Sequence, residues 1–103
     1  MLWLNSIKNI KLGFVLFLMK SWFVYMLRCA DNSLYTGVTT DVARRVVEHN
    51  AEKSVTRYTR ARQPVEVVYQ ECADSRSLAC KRESQLKKLK KIEKEALVLR
   101  GVK

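Results

Sequence analysis

The chain has 103 residues, with 20 Lys or Arg against 10 Asp or Glu, which gives a formal net charge of +10 at pH 7. This length supports one small domain with one modest core, not several. The positive charge attracts polyanions, with nucleic acid as the leading partner and an anionic membrane surface as the second. A basic protein without such a partner is the alternative, because charge alone gives no chemistry.

The three cysteines are far apart and form no C-x-x-C pair: Cys29, Cys72 and Cys80. An odd count without close pairs argues against a disulfide framework and a structural zinc site, and it indicates a reducing compartment such as the cytoplasm. A nucleophilic cysteine is not expected, because the chain has one histidine and no spacing pairs it with a thiol.

The first twenty residues differ in composition from the rest. An apolar run at 12–19 follows Lys8 and Lys11, which is superficially typical of a signal peptide. The run is too short to span a bilayer, and no small-residue cleavage site follows it. We therefore predict that residues 1–20 are an N-terminal extension, with a true start near Met19 as one explanation, and that residues 21–103 form the domain.

A hairpin of two strands is predicted next. Residues 22–28 and 34–38 are strand-like, and the residues between them include Asp, Asn and Ser, which favour turns. Alternation along the first strand places Tyr25 on one face and Met26 on the other. Gly37 indicates a bulge or a close backbone approach, which a bound phosphate would need; an ordinary strand-end glycine is the alternative.

The sequence Thr-Thr-Asp before residue 42 can cap a helix that ends near residue 50. Val42 and Val46 are four residues apart and form its packing face. Arg45 and His49 are also four apart, and we expect them on the shoulder of that face. Residues 51–64 have no long apolar period and are rich in basic side chains, so we expect an irregular basic loop.

A third strand is predicted over residues 65–70, and two helices follow it, over residues 76–90 and 92–99. We expect one face of the strand to carry Val65, Val67 and Tyr69. We expect the apolar stripe of the first helix to carry Leu78, Leu86 and Leu89. Gly101 is a common helix stop. These elements predict an α+β fold, a small three-stranded antiparallel sheet flanked by helices.

Five side chains in this order resemble those of the GIY-YIG nuclease domain: Tyr25, Tyr35, Arg45, His49 and Glu83. The two tripeptides that name the family are Phe-Val-Tyr and Tyr-Thr-Gly here, which keep each tyrosine and the second glycine. The resemblance extends from about residue 21 to residue 101, and it is closest to the small, single-domain bacterial members. It implies a GIY-YIG-like fold and the hydrolysis of phosphodiester bonds.

The resemblance implies that Tyr25 is the base and Tyr35 its partner, although the two roles could be exchanged. An ordinary phenol has a pKa near ~10, and a neighbouring cation can lower it so that a phenolate accepts a proton from water. Arg45 suits the developing phosphorane because its planar fork can hold two phosphate oxygens. His49 would contact the same phosphate or relay a proton. Ordinary strand tyrosines and a solvated helix arginine are the alternatives.

Glu83 is an acidic residue in a basic helix. An ordinary ion pair with Lys87, four residues on, is one explanation. Helical angles, however, place it beside the apolar stripe, and the resemblance places the metal-binding glutamate of the family here. A single carboxylate would hold one Mg²⁺ or Mn²⁺ ion weakly, with water and phosphate oxygens completing its coordination.

The first hypothesis is a metal-dependent endonuclease that acts on DNA and prefers structure over sequence, since no base-reading element is evident. The phosphate backbone would be contacted by Arg57, Arg60, Arg62 and Lys87. The second is a non-catalytic nucleic-acid-binding module of the same fold, and the third is a membrane-surface protein anchored by residues 1–19. DNA against RNA and the oligomeric state stay open, and neither a small-molecule cofactor nor a membrane partner is expected.

Overall fold

The computed structural model describes residues 21–101, so the predicted extension at residues 1–20 and the start near Met19 lie outside the described residues. The elements in chain order are β1 (Trp22–Arg28), β2 (Leu34–Thr39), α1 (Val42–Asn50), α2 (Arg57–Arg60), β3 (Glu66–Ala73), α3 (Arg76–Lys87) and α4 (Lys91–Arg100). The strands form one antiparallel sheet in the order β2-β1-β3, which confirms the predicted α+β fold. Within the described part of the chain, no helix is long and apolar enough to cross a membrane.

The central strand β1 carries the core on both of its faces. On one face, Val24 and Met26 pack with Tyr69, Ala79 and Leu86, and α4 adds Leu97 and Val98. On the other face, Tyr25 and Leu27 pack with Cys29 and Val65, and α1 covers them with Val42 and Val46. Because helices cover both faces, four consecutive residues of β1 are buried, Val24 to Leu27. The face that carries Tyr25 is therefore the one that α1 covers.

The prediction that three residues of the third strand share one face is wrong: Val65, Val67 and Tyr69. Met26 is paired with Tyr69, and the next residue, Leu27, is paired with Val67, so the register shifts by one residue between them. Tyr69 therefore packs with the first cluster and Val65 with the second, while Val67 is 42 % exposed. A bulge reverses the alternation of the strand, which a strict period of two cannot anticipate.

The predicted boundaries also change in the second half of the chain. The segment expected to be irregular contains α2, which begins after the N-cap residue Thr56. Helix α3 ends at Lys87, three residues before the predicted end. Its buried residues are Ala79 and Leu86, while Leu78 is 50 % exposed. Ala79 and Leu86 are seven residues apart, which is about two helical turns, so they share the face that meets the sheet.

Two part-buried ion pairs connect helices to strands. Arg28 at the end of β1 binds Glu95 of α4 through two contacts, of 2.7 Å and 2.6 Å. Arg82 of α3 donates from Nε to Oε1 of Glu71 on β3 at 2.6 Å. Arginine and carboxylate groups that meet through paired contacts fix geometry as well as charge. These pairs therefore hold α3 and α4 in place against the sheet.

Candidate active site

Tyr25 lies in the middle of β1, directly opposite Gly37 on β2. Its ring covers the glycine so closely that a Cβ atom built at position 37 would lie 2.5 Å from the phenol oxygen and 2.7 Å from Cζ. A side chain at this position would therefore have to displace the phenol. The close approach expected at Gly37 is made by the Tyr25 ring, whereas the sequence suggested a phosphate.

His49 lies at the end of α1 and is completely buried, so its predicted position on the shoulder of the helix is wrong. The helix directs the imidazole towards the sheet, where Nε2 lies 2.9 Å from the Tyr25 hydroxyl. The second ring nitrogen, Nδ1, lies 2.8 Å from Oγ1 of Thr59. Burial, and then the positive charge of Arg45, lower the pKa of His49 below its usual 6.5, while Glu48 opposes them. The imidazole is therefore neutral at pH 7.

Tyr35 reaches the same imidazole by ring contact. Its ring meets the His49 ring edge to face, with centroids 5.1 Å apart. On its other side the Tyr58 ring lies 5.8 Å away, and the Arg62 guanidinium lies 3.8 Å from the Tyr58 centroid. The two tyrosines of the motif thus converge on one histidine, and of these two tyrosines Tyr25 is the one with a hydrogen bond to it.

Arg45 lies one turn before His49 and is half-buried, and its Nη1 donates to Oε1 of Glu48 at 3.1 Å. The preceding Arg44 is 57 % exposed, and its Nε lies 3.9 Å from the other oxygen of Glu48. Adjacent residues of a helix point about 100° apart, so only one of these two arginines can face the sheet. That residue is Arg45, whose positive charge acts on Tyr25.

The ionisation of Tyr25 differs from the sequence-based expectation. Burial raises the pKa of Tyr25 to about 12, and the neighbouring Arg45 lowers it only in part. The prediction that a cation would lower this pKa enough to give a phenolate is therefore wrong for the protein without substrate. Desolvation disfavours the charged form of a buried acid, and here it outweighs the arginine. At neutral pH Tyr25 is a phenol that holds its proton.

Glu83 lies on α3, with 21 % of its side chain exposed, and Nζ of Lys87 is 3.5 Å from Oε2. The ion pair considered from the sequence is therefore formed. The pKa of Tyr25 is raised mainly by burial, and the charge of Glu83 adds a small further increase. Within residues 21–101, no group of three or more His, Cys, Asp and Glu side chains is placed to hold a metal ion.

The four predicted phosphate-binding residues have different surroundings. Arg57 is exposed, whereas Nη2 of Arg60 donates to the Ser54 carbonyl at 3.2 Å. Arg62 donates to Asp31 and to the Tyr58 carbonyl, both at 3.0 Å, in addition to covering the Tyr58 ring. Lys87 is paired with Glu83, as described above. Arg62 therefore contacts both the carbonyl and the ring of Tyr58, and sequence reasoning missed these contacts.

Sequence reasoning also missed the hydroxyl cluster beneath His49. It consists of Ser54, Thr56 and Thr59. The side-chain oxygen of Thr59 lies 2.7 Å from that of Ser54 and 2.6 Å from that of Thr56. One local pattern could have indicated it: Thr56 is followed three residues later by Thr59, and the Thr56 side chain accepts from the Thr59 backbone N–H at 3.2 Å. Such spacing is typical of a helix N-cap. Its contact with His49 depends on tertiary packing.

The model of the GIY-YIG catalytic domain matches residues 21–96. The chain belongs to the GIY-YIG family. The family is one of endonucleases that act on nucleic acid and typically use a divalent metal ion. The resemblance inferred from the tyrosines, Arg45, His49 and Glu83 is thereby confirmed at the level of the family.

Relatives of similar size share this GIY-YIG domain. A UPF0213 protein of Desulfotalea psychrophila is 51 % identical over 78 residues, which are 76 % of this chain and 71 % of the relative. One of Natronomonas pharaonis is 53 % identical over 76 residues, which are 74 % of this chain and 88 % of the relative. The solution structure of a UPF0213 protein of Bacillus halodurans, 41 % identical, has a TM-score of 0.51 and covers 79 % of this chain and 86 % of its own. The chain is thus similar to small GIY-YIG proteins.

Proposed function

We propose that this protein is a metal-dependent endonuclease that hydrolyses phosphodiester bonds in DNA and selects its substrate by structure rather than by sequence. The observation that carries the proposal is the buried hydrogen bond between the Tyr25 phenol and His49. A protein that only binds nucleic acid needs basic side chains at its surface. It does not need a neutral imidazole buried against a phenol.

The geometry supports a relay in which two protons move together. A water molecule at the phosphate gives a proton to the Tyr25 oxygen while the phenol proton passes to Nε2 of His49, 2.9 Å away. The oxygen of that water forms the new bond to phosphorus, the bond to the leaving oxygen breaks, and solvent protonates that oxygen. Tyr25 never has to exist as a free phenolate, which its pKa of about 12 would disfavour at neutral pH.

Arg45 provides positive charge where the phosphorane develops. Glu48 engages Nη1 and the Nε atom is buried, so Nη2 is the nitrogen whose donors remain for phosphate oxygens. The group is held by α1, one turn from His49, and its charge stays constant at any relevant pH. A charge that is already in position stabilises the transition state without reorganising when the reaction occurs.

Glu83 is the residue that would hold the metal. A part-buried carboxylate suits one Mg²⁺ or Mn²⁺ ion, with water and phosphate oxygens supplying the remaining ligands. When bound, such an ion offsets negative charge on the phosphate and the leaving oxygen. Lys87 would have to release the carboxylate, which costs little because the lysine is 54 % exposed and an ion pair with an exposed partner is worth about 0.5 kcal/mol or less.

The net charge of +10 supports a polyanionic substrate, and the described residues contain no element for reading base edges. Substrate choice would then depend on the shape of the nucleic acid. The direct test is a cleavage screen with Mg²⁺ or Mn²⁺ on single-stranded, nicked, flapped and branched DNA, with matched RNA included. Binding to these substrates without cleavage of any of them would favour the non-catalytic module.

The adjacent arginines give the screen an internal control. Arg45→Ala should lower the cleavage rate by on the order of 10²–10³-fold, because it removes a charge placed at the phosphorane. Arg44→Ala should have a mild effect, since Arg44 is exposed and points away from Tyr25. Single-turnover rates of the two variants, purified in parallel, also exclude a contaminating nuclease. Equal effects of the two substitutions would show that Arg45 has been assigned incorrectly.

The pH profile tests the proton transfer. The groups that face His49 are Tyr25, Tyr35, Thr59, Arg45 and Glu48, and the pKa of His49 is lowered below 6.5. The single-turnover rate should therefore be flat between about pH 7 and 10 and should fall only below pH 6.5, as His49 gains a proton and can no longer accept one. A rate that instead rises about tenfold per pH unit through this range would mean that a free phenolate is the base. Circular dichroism at each pH excludes unfolding as the cause of the acid limb.

A further inference from the structure

A cluster of three hydroxyl groups, two of them buried, lies at the His49 ring on the side away from Tyr25. Thr59 is its centre: Oγ1 lies 2.8 Å from Nδ1 of His49, 2.7 Å from Ser54 Oγ and 2.6 Å from Thr56 Oγ1. His49 and Thr59 are completely buried, and Ser54 is 3 % exposed. Polar groups that are removed from water in this way must satisfy one another. The protein thus places a neutral hydroxyl on Nδ1, where many catalytic histidines have a carboxylate.

The direction of these hydrogen bonds follows from the phenol. Tyr25 is 1 % exposed, and Nε2 of His49 is the one hydrogen-bond acceptor for its hydroxyl proton among the described residues, since Arg45 can only donate. Nε2 must therefore be unprotonated, and in a neutral imidazole the proton then lies on Nδ1. Nδ1–H donates to Thr59, whose own proton goes to a cluster oxygen or to the Thr56 carbonyl at 3.4 Å.

We propose that Thr59 is a positioning residue that holds His49 in the Nδ1–H tautomer and so keeps Nε2 ready to accept the proton of Tyr25. The hydrogen bond on one ring nitrogen decides which nitrogen carries the proton. A threonine in this place fixes the tautomer and the ring orientation without adding a negative charge. Its role in catalysis rests on the proposed nuclease function, whereas the tautomer itself is a property of the free protein.

The alternative tautomer would leave the phenol proton without a partner. With the proton on Nε2, the imidazole would donate to the Tyr25 oxygen, and the buried phenol would lose the acceptor for its own proton. Thr59 would then donate to Nδ1 and accept from Ser54 and Thr56. An unsatisfied buried donor is costly enough to make one tautomer dominant.

Nitrogen-15 NMR of the free protein tests the assignment. His49 is the one histidine of the chain, so its ring nitrogens give a single set of signals without ambiguity. At neutral pH the wild-type protein should show a protonated Nδ1 and an unprotonated Nε2. Thr59→Val removes the hydroxyl but keeps the branched shape, and it should shift the population towards the Nε2–H tautomer. Thr59→Ser should restore the wild-type pattern.

The control variant is Ser54→Ala, which removes a neighbour of Thr59 that does not contact His49, and it should keep the Nδ1–H tautomer. A protonated Nε2 in the wild-type protein would overturn the proposal even if Thr59→Val failed to fold. An unchanged tautomer in a folded Thr59→Val protein would overturn it as well.

Cleavage kinetics form the second arm. Thr59→Val should lower kcat by roughly 10–100-fold at unchanged DNA affinity, the range found when a residue that orients a catalytic ligand is lost. Thr59→Ser should recover most of that rate. If no substrate is cleaved by the wild-type protein, the nuclease proposal fails while the tautomer result still stands. If cleavage is normal and the tautomer is wrong, the role of Thr59 fails alone.

Discussion

Replacing Tyr25 with phenylalanine should reduce phosphodiester cleavage by on the order of 10²–10⁴-fold, the usual contribution of a general base. The change removes one oxygen and keeps the ring that packs over Gly37, so the sheet should retain its geometry. It removes the group that connects water to Nε2 of His49, so the imidazole loses its proton donor. Single-turnover cleavage of the best substrate from the screen gives the measurement.

Tyr35→Phe is the matched control for this prediction. Both tyrosines lie against His49, but among the described residues Tyr35 makes a ring contact while Tyr25 makes a hydrogen bond. The Tyr35 substitution should therefore have the smaller effect. The opposite order of effects would exchange the two roles, and equal small effects would remove both tyrosines from the proton transfer. Thermal unfolding of each variant shows whether a lost rate reflects lost structure.

Glu83→Ala should stop cleavage at any practical concentration of Mg²⁺ or Mn²⁺ while leaving DNA binding unchanged or slightly tighter. The cleavage effect follows if Glu83 is the one carboxylate that holds the metal; in the described part of the chain it belongs to no group of three or more His, Cys, Asp and Glu side chains placed to hold an ion. The binding effect follows because the substitution removes a negative charge from a basic helix. A binding titration and a cleavage time course on one branched substrate, with Mg²⁺ varied in both, separate the two effects.

Lys87→Ala is the control for Glu83. It breaks the same ion pair, whose lysine is 54 % exposed, but it keeps the carboxylate. Loss of an exposed pair changes stability by about 0.5 kcal/mol or less, so cleavage should persist and the metal requirement should fall or stay the same. Full activity in the Glu83→Ala protein would remove the metal site from the proposal. The nuclease function would then depend on Tyr25 and Arg45.

Apart from α2, the strands and helices that carry the site were predictable because each has a local cause. β1 is rich in aromatic and β-branched residues, and Asp41 caps α1 by accepting from the Arg44 backbone N–H at 3.0 Å. Helix α4 ends at Gly101, which adopts the left-handed conformation with φ of 64°. The family could be recognised for a related reason, since its motif is a short series of residues in a fixed order.

The features that determine the chemistry of the site depend on contacts between residues that are distant in sequence. The bulge in β3 reverses the face of Val65 relative to Tyr69, because it depends on how β3 pairs with β1. The expected lowering of the Tyr25 pKa was wrong because a cation can be inferred from the sequence, whereas the depth of burial cannot. Gly37 could be noticed from the sequence, but only the packed sheet shows that a phenol ring lies over it.

The sequence by itself determined the α+β architecture, the family and the order of the residues in the candidate site, because hydrophobic alternation, helix caps and motif spacing are encoded along the chain. Only the tertiary structure decided how those residues act on one another. It buried His49 between Tyr25 and Thr59, which come from different elements. Burial and hydrogen-bond direction depend on atoms that are distant in sequence. They decide whether Tyr25 is a phenolate or a phenol whose proton can pass to Nε2 of His49.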